Sequence, residues 1–165
     1  MGGPVSGSFE PRTDPDVDLR VPADRDELST RPATVLAAVA AGGVLGALAR
    51  AGLQHAAPHA PTDFPWATFG VNLSGCLLIG VLMAALTHLS GGRPLVRPFL
   101  GVGVLGGFTT FSTYAVDIQQ ALVAGSPGTA LAYLAATVVG ALVAVGLGDA
   151  ATAGLLRRRA RRVSR

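Results

Sequence analysis

The chain has 165 residues, 50% of them hydrophobic and 14% charged, and its mean hydropathy of +0.48 is too high for an ordinary soluble domain. Its thirteen basic residues, all Arg, outnumber ten acids, and charge gathers at the ends: residues 1–31 hold most of the acids and residues 157–165 an Arg run. A lone Cys76 excludes a disulfide scaffold, and His55, His59 and His88 lack thiolate partners at ligand spacing, which excludes a Cys/His zinc site.

Residues 1–32, rich in Pro, Gly, Asp and Arg, have too few large apolar side chains to build a core and read as a disordered, acidic cytoplasmic tail. Residues 33–156 read as one four-span domain, and 157–165 as an Arg-rich cytoplasmic tail. Span one, 33–54, is mostly Ala, Val, Leu and Gly with Arg50 as its single charge. It follows a long acidic segment, unlike a cleaved signal peptide, and is read as uncleaved. Span two, 66–87, carries no charged residue and follows the interfacial sequence Phe64-Pro65-Trp66.

Span three, 98–116, is dense in Gly, Thr and Ser, and the pattern predicts a helix interrupted at Gly106-Gly107. Span four, 127–148, is uncharged and ends before Asp149 and the Arg run. The expected fold is therefore an all-α integral membrane protein with both termini on one side. Arg93, Arg97 and the C-terminal Arg residues place that side in the cytoplasm. Directly after a span, the Arg run reads as an orientation signal attracted to anionic headgroups and not as a nucleic-acid site.

Gly101-Val102-Gly103-Val104-Leu105-Gly106 spells GxGxxG, but without a preceding strand or a soluble βαβ unit it is no dinucleotide fingerprint. Gly42 with Gly46, Gly103 with Gly107, and the Gly140, Ala144, Gly148 series instead place small residues every four positions, a helix-packing pattern. The polar residues at membrane depth are more informative. Thr68 with Asn72, and Tyr133 with Thr137, lie four apart and so share a helix face on which they can line a narrow path or bond between helices. Arg50 and Asp117 are charges that hydropathy does not choose. Residues 106–114, Gly-Gly-Phe-Thr-Thr-Phe-Ser-Thr-Tyr, are the most specific stretch. A break there exposes carbonyls that suit a hard cation, beside ring edges and hydroxyls that suit an anion. Phe111 and Tyr114, three apart, present two rings on one face if the helix resumes; ordinary core packing is the other reading.

At these residues the chain resembles the small fluoride channels of the CrcB/Fluc family. Three motifs carry the match: Gly42 through Arg50, Thr68 through Gly75, and Gly106 through Tyr114. The likeness spans about residues 35–150 and implies a fluoride-selective channel for passive export, with no catalysis. It implies that Asn72 donates its amide to fluoride, that Phe111 and Tyr114 hold the two pore-ring positions, and that Thr68, Thr110, Ser112, Tyr133 and Thr137 supply pore hydroxyls. Tyr114 stands where the family has Phe, Asp117 where it usually has Glu, and Ala141 lacks the next hydroxyl of the span-four track. Arg50 matches an arginine near the pore vestibule. Gly106 and Thr109 match positions whose backbone carbonyls hold a structural sodium ion at the interface of an antiparallel dimer.

A single four-helix chain offers one copy of each partial polar face, so a partner is expected. The Arg bias disfavours insertion both ways up, which leaves a homodimer or, preferred here, a heterodimer with a homologous chain of opposite orientation. Alternatives are a small accessory membrane protein and a four-span exporter subunit, although span one lacks the carboxylate that a proton-coupled exporter uses. No nucleophile and base pair or metal cluster suggests an enzyme.

Overall fold

The computed structural model describes residues 32–88 and 95–163. The tail expected over residues 1–32 therefore lies almost wholly outside the described residues, as does Arg93. Every regular element among the described residues is a helix: α1 is Pro32–Ala56, α2 Trp66–His88, α3 Arg97–Leu105, α4 Gly106–Phe108, α5 Phe111–Val123 and α6 Pro127–Val163. Four apolar helical stretches are long enough to cross a bilayer, with α3 to α5 together forming the third, Arg97–Val123.

Helix starts follow the prolines. Pro32 and Pro127 open α1 and α6, where a missing amide proton costs nothing and the ring already fixes a helical φ. α5 ends in a Schellman turn: Ser126 N–H bonds Ala121 O at 2.9 Å and Gly125 N–H bonds Leu122 O at 3.1 Å. Gly125 takes φ +76° there, a left-handed conformation that disfavours any side chain.

α3 is wound more widely than an α-helix, and the Gly106 amide reaches back five residues to Gly101 O. The widened turns press on α1. A Cβ at Gly42 would strike Phe99 O, one at Gly46 would strike Val104 O, and one at Gly107 would strike Gly43 O. The four-residue glycine spacing thus brings backbone onto backbone, as the packing pattern predicts. α2 lies along α6, and a Cβ at Gly80 would strike Val145 O while one at Gly148 would strike Leu77 O. Nearer the start of α2 the pair is separated by a side chain, because the Gly140 Cβ position faces Leu73 Cδ1 at 3.2 Å.

Two boundaries differ from expectation. Gly106 and Gly107 are helical; the backbone turns extended at Thr109 (φ −74°, ψ 158°) and Thr110 (φ −148°, ψ 123°). Glycine merely weakens a helix, whereas at Thr110 side-chain bonds replace the helical ones. Helix α6 also continues past Gly148 through most of the expected tail to Val163, since Ala, Leu and Arg are strong helix formers that need no bilayer.

Apolar side chains such as Leu45, Leu48, Leu131, Val139 and Leu142 point outward, while Thr68, Asn72, Thr110, Asp117 and Thr137 are buried with Tyr114 and Tyr133. That inside-out distribution suits a protein solvated by lipid.

Candidate functional site

The buried polar residues form one seam where α2, α5 and α6 meet. Its centre is a clamp on the Thr109–Thr110 break. Asn72 Nδ2 donates to Thr110 O at 3.0 Å, and Thr110 N–H donates to Asn72 Oδ1 at 2.8 Å. One Nδ2 proton remains after the first of these bonds. The Thr110 hydroxyl then starts α5 by accepting from Thr113 N–H at 3.1 Å, with Ser112 Oγ at 3.3 Å beside it.

These bonds redirect the amides that a continuous helix would use. The amide of Thr110, which would reach Gly106 O, goes to Asn72, and that of Thr113, which would reach Thr109 O, goes to the Thr110 hydroxyl. Between them, Gly107 O accepts Arg50 Nε at 3.2 Å, a side-chain substitute for the donor that the break removes. Gly106 and Thr109 thus present carbonyls whose usual donors are diverted, a chemistry that fits a hard cation such as sodium. Among the described residues no three His, Cys, Asp or Glu side chains gather as a metal site.

From the clamp the seam runs through aromatic and hydroxyl groups. The Phe111 and Tyr114 rings lie 5.7 Å apart, so the helix does resume with both on one side. Their exposures differ sharply: Tyr114 is buried, its hydroxyl donating to Leu134 O at 3.2 Å, whereas Phe111 is 79% exposed in the single chain. Tyr114 meets Tyr133 edge to face at 5.2 Å, and Tyr133, 1% exposed, points its hydroxyl at Asp117 Oδ2 from 3.5 Å. Thr68, also 1% exposed, accepts from Gln54 Nε2 at 3.4 Å. Thr137, one turn beyond Tyr133, has a buried hydroxyl without a hydrogen-bond partner among the described residues.

The expected residues therefore fall into groups. Asn72, Thr110, Tyr114, Thr68, Tyr133, Thr137 and Asp117 share the seam; Arg50, Gly106 and Thr109 belong to the break; Phe111 and Ser112 face outward beside it. Sequence reasoning missed three contributors: Gln54, His59, whose Nε2 lies 3.8 Å from Asp117 Oδ1, and Phe64, whose ring meets Tyr133 edge-on at 5.3 Å. Gln54, one turn after Arg50 on α1, carried a usable signal; the two loop residues carried none.

Comparison with known proteins identifies the chain's relatives. A family model described as CrcB-like protein, Camphor Resistance (CrcB), matches residues 37–149. Fluoride-specific ion channel FluC 2 of Thermobifida fusca is 59% identical over 128 residues, covering 78% of this chain and 95% of the relative. A protein of the same name from Streptomyces avermitilis is 52% identical over 124 residues, 75% of this chain and 78% of the relative. Fluoride-specific ion channel FluC 1 of Streptomyces coelicolor is 47% identical over 149 residues, 90% of this chain and 97% of the relative.

Proposed function

This chain belongs to the CrcB/Fluc family and is a multi-pass membrane protein that passes fluoride, and we propose that the ion moves along the seam between α2, α5 and α6. Export of fluoride down its gradient relieves its toxicity. The accessory-protein and exporter readings are not favoured by this kinship.

Fluoride is small and holds water tightly, so a selective path must offer several closely spaced donors at once. The second Asn72 amide proton, the hydroxyls of Thr68, Ser112 and Thr137, and the electropositive ring edges of Phe111 and Tyr114 are such donors, while the Tyr133 and Thr110 hydroxyls, which donate to Asp117 Oδ2 and Thr113 Oγ1 in the single chain, join them only by giving up those bonds. The observation that carries this reading is the Thr137 hydroxyl: a buried polar group left without a partner is costly, and an anion on the seam would satisfy it.

The assembly we propose is an antiparallel dimer, with itself or with a homologous chain. The 79% exposure of Phe111, next to a buried Tyr114, supports a path walled on one side by this chain and on the other by its partner. A sodium ion held by the Gly106 and Thr109 carbonyls would supply fixed positive charge at the breaks. Arg50 holds the intervening carbonyl in place, and Asn72 holds the chain beyond it.

The test is efflux from fluoride-loaded liposomes bearing the purified protein, followed with a fluoride electrode after addition of a potassium ionophore. Fast fluoride release with negligible chloride release is the expected result. Fluoride retention by folded protein, both alone and with a co-expressed homologous chain, would overturn the reading.

A further inference from the structure

The Thr109–Thr110 peptide is gripped at two points by one helix, α2. Its N–H donates to Asn72 Oδ1 at 2.8 Å, and the residue before that N–H, Thr109, packs its methyl group against Gly75, where a Cβ would strike Thr109 Cγ2. Asn72 and Gly75 are three apart and so lie on one face of α2, the face turned to the break. Gly75 is buried, and Phe108 Cδ1, 3.5 Å from its Cβ position, closes the gap on the other side.

This fit fixes the Thr109 side chain. Its hydroxyl donates to Leu105 O at 2.9 Å, the same carbonyl that accepts the Thr109 amide at 3.0 Å. Turning χ1 to take the methyl group out of the Gly75 gap would carry the hydroxyl off Leu105 O, and a β-branched side chain has few other rotamers. The hydroxyl is thereby committed to the preceding turn, and what Thr109 has left to offer a cation is its carbonyl.

The direction of that carbonyl follows from the same two grips. A trans peptide is planar, and its C=O points opposite to its N–H. Since the Thr110 N–H points at Asn72, the Thr109 carbonyl points away from Asn72, and the seat of Thr109 on Gly75 sets the tilt of the plane. The Thr113 amide, which a continuous helix would aim at this carbonyl, is bonded to the Thr110 hydroxyl instead and does not compete for it.

We propose that Gly75 is a positioning residue of the cation site: by admitting the Thr109 methyl group it sets the angle at which the Thr109 carbonyl is presented, and with it the affinity for sodium. The inference rests on the reading of Gly106 and Thr109 as sodium-binding carbonyls. Gly75→Ala puts a methyl group where the Thr109 methyl lies, so Thr109 must retreat from α2, tilting the peptide and lengthening the Asn72 bond. Thr109→Ser removes Cγ2 and keeps the hydroxyl. In the double variant the added methyl group takes the vacated volume, and the peptide returns to its place.

The test is the unfolding temperature of the purified protein in detergent, titrated with sodium against a large organic cation at constant ionic strength, so that the sodium dependence reports affinity by mass action. The native protein is expected to be stabilised by sodium. Gly75→Ala is expected to bind sodium about tenfold to a hundredfold more weakly, the loss typical when a group that orients a ligand is disturbed, and Gly75→Ala/Thr109→Ser to regain most of that affinity. Gly52→Ala, in open space on α1, keeps the native titration. A packing role alone would make Gly75→Ala lower the unfolding temperature equally at every sodium concentration, and that parallel shift would sink the proposal while leaving the sodium site intact. Should Gly75→Ala fail to fold, the double variant decides: a near-native sodium response upholds the pairing, and a double variant that stays unfolded or answers sodium weakly overturns it. A native protein indifferent to sodium would take down the cation reading and this inference together.

Discussion

Asn72 and Thr110, 38 residues apart, exchange two hydrogen bonds, one of 3.0 Å and one of 2.8 Å, across the only extended backbone among the described residues of α3 to α5. One side chain thus holds the break open and faces the seam. Asn72→Asp keeps the acceptor for the Thr110 amide but loses the donor and adds a negative charge. Fluoride flux is expected to fall by about tenfold or more, a loss of about 1.4 kcal/mol at the barrier, with thermal stability in detergent less affected. Asn72→Ala removes both bonds and is expected to cost about 1–3 kcal/mol of stability as well, read as a lower unfolding temperature.

Phe111 separates function from folding. Because its ring is exposed in the single chain, Phe111→Ile is expected to leave the helical fold and its circular dichroism unchanged. Its electropositive edge is lost, and fluoride flux should drop by at least about tenfold, the equivalent of about 1.4 kcal/mol. Unchanged flux would remove Phe111 from the path.

Arg50 donates from Nε to Gly107 O, and lysine has no counterpart to that planar donor. Arg50→Lys preserves charge and is expected to lower both flux and thermal stability, the latter by about 1 kcal/mol. A variant with native stability and native flux would show that the charge alone matters.

The α1 and α3 contact can be tested by a matched pair of glycine substitutions. Gly46→Ala forces a methyl group onto Val104 O and is expected to destabilise by about 1–3 kcal/mol. Gly52→Ala meets open space and should be neutral or stabilising by up to about 1 kcal/mol through helix propensity. Thermal unfolding of both in the same detergent decides it.

Sodium dependence tests the break carbonyls. Replacing sodium by a large organic cation is expected to lower the unfolding temperature, since an ion bound only to the folded form stabilises it by mass action, about 2.7 kcal/mol at a hundredfold excess over Kd. Insensitivity of the unfolding temperature to sodium would count against an ion at Gly106 and Thr109.

The four spans were legible because lipid permits so little: expectation and structure agree on the start of α2 at Trp66 and of α6 at Pro127, and the glycine spacing foretold the backbone contacts at Gly42, Gly46 and Gly148. Local composition could not say where the third span would break. Glycine content pointed to Gly106-Gly107, but the decision lies with Asn72 on another helix, whose bonds stabilise the extended form at Thr110. The loop offers the same lesson. His59 sits among Pro and Ala with no periodic signal, and its place beside Asp117 appears only when Thr62 and Phe64 fasten the loop against α6.

α2 and α6 behave like a pair of tongs. At one end Gly80 and Gly148 let main chain touch main chain, midway Leu73 stands between the helices at Gly140, and at the other end Tyr133 and Thr68 fill the opening. Tyr133 lies fifteen residues from Gly148, about 22 Å along the helix. A contact with no side chain in it has no rotamer that can yield, so a methyl group added at Gly80 or Gly148 is expected to push α2 and α6 apart along the length that leads to Tyr133 and Thr68.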